Sequence, residues 1–189
     1  MAYQLLFIFL ATGTDATIAL IGGADITANF RPGTMAISIG MLLSALAMTW
    51  HLVHFHYVKF NKESMYEVSK KIILLCIPLL LSAQFIAGIL NEALDLTDTN
   101  QELFISMSHN IFGVLSIAIV VPILEEVLFR GAIEGHLLRK GWSPKWAILV
   151  SALIFGIIHG NPAQIPFAFL IGLLFGWLYY RTGSLVPGI

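Results

Sequence analysis

A short segment of the chain places three charged side chains in an otherwise apolar run. Residues 122–131 read PILEEVLFRG. Each charge near the centre of a bilayer costs about 2.5–3.5 kcal/mol on insertion scales, so charges there usually serve a function. Glu126 and Arg130 are four residues apart and share a helical face, where they can form an ion pair. Glu125 is rotated by about 100° from Glu126 and has no basic partner in its own helix, which makes it the carboxylate available for chemistry.

A second polar group interrupts an apolar run further along the chain. Residues 155–162 read FGIIHGNP. His159 ends this run, and Phe155 lies one helical turn before it on the same face. Gly160 and Pro162 are predicted to stop the helix at this point. An imidazole in this place could orient a water molecule, protonate a leaving amine or bind a metal.

The two polar groups are predicted to lie at the same height. Fourteen residues separate Lys145 from His159, and fourteen separate Glu125 from Arg139. At about 1.5 Å per residue, each group lies about 21 Å from the short loop that joins the two helices. Since a short loop favours antiparallel packing, Glu125 and His159 should meet. A carboxylate acting as general base beside an imidazole is suited to activating water.

The elements that must position these groups are membrane helices. Hydrophobic residues make up 58% of the 189-residue chain and charged residues 11%, against about a quarter charged in soluble domains. A spanning helix needs about 20 apolar residues, and six stretches approach that length: 3–23, 34–58, 72–94, 105–124 (continuing with polar residues to about 138), 146–158 and 165–180. The sequence therefore predicts an all-α, polytopic transmembrane helical bundle with six spans. A seventh span is expected to begin at Leu185 and to be truncated.

The predicted organisation is a single membrane domain. Residues 1–104 form variable N-terminal spans, and residues 105–189 form the motif-bearing core, which is expected to be incomplete at its carboxyl end. A net charge of −1 without a basic stripe argues against a nucleic-acid partner. The single cysteine, Cys76, excludes a disulfide framework within the chain.

The distribution of basic residues predicts the orientation. Eight of the ten Lys and Arg residues fall in loops on one side of the predicted membrane: Lys59, Lys62, Lys70, Lys71, Arg139, Lys140, Lys145 and Arg181. Arg31 alone falls on the other side. By the positive-inside rule, the amino terminus and the eight basic residues face the cytoplasm.

The two motifs resemble those of a known family. Glu125-Glu126-x-x-x-Arg130 followed by Phe155-x-x-x-His159 is similar to the first two motifs of the CAAX prenyl protease and bacteriocin-processing (CPBP or Abi) intramembrane proteases, bacterial type. The resemblance covers roughly residues 115–189. It implies that Glu125 activates water, that His159 is its partner at the scissile carbonyl, and that the other three residues support them.

The family's third motif, His-x-x-x-Asn or Asp, is not found before Ile189. Because it supplies oxyanion stabilisation in the family, its loss would lower the rate by about 10²–10³-fold. The resemblance also leaves a divalent metal such as zinc open. Glu125 and His159 would be its ligands, although catalytic zinc usually has three protein ligands.

The resulting prediction is a membrane-embedded endopeptidase of the bacterial inner membrane, with a membrane-associated peptide or protein as substrate. A non-catalytic scaffold or bacteriocin-immunity-type protein of the same family is the alternative. A transporter, in which buried Glu and His relay protons, is a weaker one, because the inverted repeats typical of transporters are not apparent in the sequence.

Overall fold

A computed structural model describes residues 2–21, 33–58 and 68–189, and these ranges contain helices and no strand. The helices are α1 Ala2–Ile21, α2 Thr34–His54, α3 Lys70–Ala93, α4 Gln101–Ser108, α5 Ile111–Arg139, α6 Pro144–Ile158 and α7 Ile165–Thr182, followed by a 3₁₀ turn at Val186–Gly188. The predicted all-α, polytopic bundle is confirmed.

Four of the described helices, α2, α3, α5 and α7, are long and apolar enough to cross a membrane. The α6 helix is apolar but has only 15 residues. The chain is therefore an integral membrane protein, and the count of six spans stays a prediction. Arg31, Lys59, Lys62 and the last two residues of the first predicted span lie outside the described residues.

The fourth predicted span differs from the observed helices. The apolar run was expected to be helical from Ile105, but α4 ends at Ser108 and α5 begins at Ile111. Asn110 has extended backbone angles, and its side chain accepts a hydrogen bond from the Gly113 amide at 2.8 Å, which caps the new helix. A Cβ atom at Gly113 would collide with the backbone of Met107. The chain therefore turns between the two helices.

Internal contacts divide the chain into two units. One comprises Met1–His51 and Gln101–Leu124, and the other comprises Leu52–Asn100 and Glu125–Ile189. Within the first unit, Asp15 accepts a hydrogen bond from the Gly33 amide at 2.6 Å. The second unit contains every residue of the two motifs. The prediction of a single membrane domain stays a prediction.

In the second unit, a hydrogen bond joins α5 to α6, and a close glycine contact joins α6 to α7. Residues Val127–Glu134 of α5 form a π-helical segment, a form that often occurs at functional sites. The buried Ser151 of α6 donates a hydrogen bond to the Phe129 carbonyl in this segment at 3.1 Å. In addition, a Cβ atom at Gly172 of α7 would lie only 3.0 Å from Ala152 of α6, so α6 and α7 pack at close range.

Candidate active site

Glu125 and His159 come from different helices and lie side by side. The Oε1 atom of Glu125 is 4.0 Å from the Nε2 atom of His159, and the two side chains are 29% and 22% exposed. This separation is beyond hydrogen-bond range. The carboxylate and the imidazole can therefore both act on one small group held between them.

The orientation of the His159 ring is set by a backbone group. Its Nδ1 atom lies 2.7 Å from the carbonyl oxygen of Phe155. A carbonyl oxygen can only accept a hydrogen bond, so Nδ1 carries a proton. In the neutral ring, Nε2 is then the basic nitrogen, and it is the atom that faces Glu125.

The Phe155 side chain packs against three residues of the site. Its ring centroid is 4.9 Å from that of His159, edge to face, and 4.8 Å from that of Phe129. The guanidinium carbon of Arg130 lies 4.8 Å from the same ring, at cation–π distance. Phe155 is 3% exposed, so it links the α5 residues to the end of α6 inside the protein.

Glu126 and Arg130 form the ion pair that their spacing predicts, with 3.2 Å between Oε1 and Nη1. Arg130 is 1% exposed. Its Nη2 atom donates to the Ile171 carbonyl at 3.5 Å, and its guanidinium carbon lies 5.7 Å from the Phe175 ring. The planar guanidinium is thus held by a carboxylate, a carbonyl and two aromatic rings, an arrangement that suits Arg better than Lys.

The structure adds Glu134, which the sequence analysis missed. Glu134 is fully buried, and neither of its carboxyl oxygens has a hydrogen-bond partner among the described residues. A Cβ atom at Gly176 of α7 would lie 2.7 Å from this carboxylate. Glu126, Arg130 and Glu134 follow one another at four-residue spacing, so Arg130 has a carboxylate one turn away in each direction. That continued spacing was the signal available in the sequence.

The donor set does not match a usual zinc site. In the part of the chain that the structure describes, no three His, Cys, Asp or Glu side chains are grouped so that they could hold a metal ion. Glu125 and His159 provide two ligands, whereas catalytic zinc usually takes three from the protein.

The carboxyl-terminal part of the chain is similar to known proteins. Residues 107–189 match the family described as Type II CAAX prenyl endopeptidase Rce1-like. The family resemblance predicted from the two motifs is confirmed. All five predicted site residues lie within this Rce1-like segment.

A protein of Bacillus subtilis (strain 168) named "Putative membrane peptidase YdiL" is 42% identical over 65 residues. The matched region is 34% of this chain and 26% of the relative, so the match spans about a quarter of that protein's length. No solved structure matches the chain.

Proposed function

We propose that the chain is an intramembrane endopeptidase in which Glu125 and His159 activate water to hydrolyse a peptide bond of a membrane-associated substrate. The observation that carries the proposal is the 4.0 Å approach of these two side chains from two apolar helices. Both stay partly exposed, whereas Glu126, Arg130 and Glu134 are buried. The Rce1-like segment and the resemblance to a protein named as a membrane peptidase support the same activity.

The proposed reaction uses the two side chains in different roles. Glu125 takes one proton from a water molecule while the water oxygen forms a bond to the scissile carbonyl carbon. The Nε2 atom of His159 accepts a hydrogen bond from the remaining O–H and so orients the attack. Glu125 then returns its proton to the amide nitrogen, the C–N bond breaks, and a carboxylic acid and an amine are released.

The other site residues hold this pair in place. The Phe155 carbonyl keeps the proton of His159 on Nδ1, and the Phe155 ring packs against the imidazole. The Glu126–Arg130 ion pair restrains the part of α5 that also carries Glu125. Correct placement matters because an error of about 1 Å in a catalytic group can cost about 10²-fold in rate.

We further propose that the protein lies in the bacterial inner membrane with its amino terminus in the cytoplasm. Its substrate would be a peptide or protein already associated with the lipid bilayer. The family description names prenyl endopeptidases, so a prenylated peptide is one substrate to test, and a peptide with a transmembrane helix is another.

The decisive experiment is a cleavage assay with the purified protein in lipid vesicles. The substrates are two fluorogenic peptides, one prenylated and one with a transmembrane helix. Glu125→Gln and His159→Ala should each lower kcat by at least about 10²-fold, with the helical circular-dichroism spectrum unchanged. Glu102→Gln, which makes the same change at an exposed site on α4, is the control and should cleave normally.

Full cleavage by either active-site variant would rule out the proposed mechanism. Binding of a peptide without cleavage by the unmodified chain would instead favour the non-catalytic scaffold.

A further inference from the structure

The residue that follows the His159-Gly160 pair is tied to a distant loop. Asn161 is fully buried. Its side-chain amide donates to Oδ1 of Asp98 at 2.7 Å, and its side-chain oxygen accepts from the Thr99 amide at 3.2 Å. Both ends of the Asn161 side chain are therefore bonded to the loop between α3 and α4.

The main chain of Asn161 begins the next helix. Its carbonyl accepts hydrogen bonds from the amides of Gln164 at 2.9 Å and Ile165 at 3.2 Å. Asn161 thus connects three parts of the second unit: the end of α6, the start of α7 and the loop before α4.

A second hydrogen bond joins the same regions. The side-chain amide of Asn91, in the last turns of α3, donates to the Ala163 carbonyl at 2.9 Å. The segment from His159 to Ala163 is consequently held from the α3 side at two points.

His159 itself sits where a helix end can move. It follows the last residue of α6, and its amide makes a long 3.3 Å hydrogen bond to Gly156. Gly160, with φ of +61°, adopts a left-handed conformation that glycine enters freely. Phe155 orients the ring from within α6, but helix ends open more readily than helix centres, so contacts from outside α6 would hold the backbone of this turn more firmly.

We propose that the Asp98–Asn161 clasp, meaning these two side chains and the hydrogen bond between them, fixes the turn that carries His159 and so holds the imidazole at Glu125. The two residues are positioning residues, and their effect on catalysis rests on the function proposed above. Asp98 and Asn91 lie outside the Rce1-like segment 107–189. The clasp would therefore be one of the points at which the preceding part of the chain contributes to the active site.

A swap of the two side chains tests the clasp. Asn161→Asp removes the amide donor and sets a second carboxylate against Asp98, so the hydrogen bond is lost. Adding Asp98→Asn restores a donor and an acceptor in reversed order, but it also removes the hydrogen bond that the Asn100 amide donates to Oδ1 of Asp98 at 2.9 Å. Adding Asp95→Asn instead removes one acidic charge from the same loop without supplying a donor at position 98, which makes it the matched control.

Two properties of each variant are measured in lipid vesicles. The first is amide hydrogen exchange of peptides covering residues 155–161, which requires no activity. Asn161→Asp should speed this exchange by about tenfold or more, the swap should restore it, and the control pair should not. The second is cleavage of the fluorogenic peptides: kcat should fall by about tenfold or more with KM nearly unchanged, and the swap should recover it to within about threefold.

Unchanged exchange in Asn161→Asp, or equal rescue by the swap and the control pair, would overturn the clasp. If Asn161→Asp does not fold, Asp98→Ala removes the acceptor from an exposed position and gives the same test. If the unmodified chain cleaves none of the peptides, the proposed function fails, and the exchange data still decide whether the clasp fixes the His159 turn.

Discussion

Glu125 and Glu126 are adjacent in sequence but have different surroundings. Glu126 has a 5% exposed side chain and lies 3.2 Å from Arg130, whereas Glu125 is 29% exposed and faces His159. Since the two residues are chemically identical, the difference comes only from their positions around α5. One carboxylate is buried as a partner for Arg130, and the other can reach a substrate.

This difference predicts opposite effects of the same substitution. Glu126→Ala removes the carboxylate that pairs with the buried Arg130. The uncompensated charge should lower the free energy of unfolding by about 3 kcal/mol. Glu125→Ala should change stability little and abolish cleavage. Thermal unfolding in detergent micelles measures the first effect and the vesicle assay the second. Equal destabilisation by the two substitutions would contradict this division of roles.

The residues of the site were unequally predictable from the sequence. Glu125, Glu126 and Arg130 are recognisable because charges in an apolar helix are costly, and the approach of Glu125 to His159 follows from counting residues along two helices. Glu134 is different: near the end of a predicted span, a glutamate usually faces water. Its burial depends on the close approach of Gly176, which comes from another helix, α7.

At the scale of elements, the close packing of α6 and α7 depends on glycine. A methyl group at Gly172 would meet both the backbone and the side chain of Ala152 at 3.0 Å. The two helices would have to separate, and the Phe155 ring beside this contact would shift.

We expect Gly172→Ala to lower the free energy of unfolding by about 1–3 kcal/mol through overpacking. Gly88→Ala, in the carboxyl-terminal part of α3, is the matched control because a Cβ there would meet nothing within 4 Å among the described residues. It should be neutral or stabilising by up to about 1 kcal/mol, since Ala favours helix more than Gly. Chemical unfolding in mixed micelles compares the two, and equal effects would be evidence against the tight α6–α7 contact.

Most helix ends were predictable because Gly, Pro and polar residues punctuate the apolar runs. The end of α6 before Gly160 is one example. The break between α4 and α5 was missed, although the polar residues Ser108, His109 and Asn110 interrupt the apolar run there and Asn110 is a strong capping residue. The π-helical segment Val127–Glu134 could not be predicted from the sequence either. The α and π helices differ in their hydrogen-bond partners rather than in residue type.

At the scale of the whole molecule, the clasp between Asp98 and Asn161 joins residues 63 positions apart. Neither residue belongs to a periodic pattern, and each would be read from the sequence as an ordinary loop residue. Such contacts are set by the packing of entire helices, so they could not be predicted from local spacing. The orientation in the membrane, by contrast, depends on a sum of charges that the sequence contains.

The orientation can be tested with single cysteines in a Cys76→Ala background. Lys140→Cys, after α5, should react with a membrane-impermeant maleimide only when the cytoplasmic side is accessible. Thr97→Cys, in the loop before α4, should react only from the opposite side. Intact cells and inverted membrane vesicles supply the two conditions. Labelling of both positions from the same side would disprove the predicted topology, and labelling of each only from the side opposite to that expected would reverse it.

The unequal burial of the three glutamates in α5 has a practical consequence for chemical labelling. A lipid-soluble carbodiimide must reach a carboxyl oxygen before it can form an adduct. Glu126 and Glu134 are enclosed by neighbouring helices, while Glu125 is partly exposed. The reagent should therefore mark Glu125 first, and peptide mass mapping of the adduct would identify the reactive carboxylate in membranes before any substrate is known.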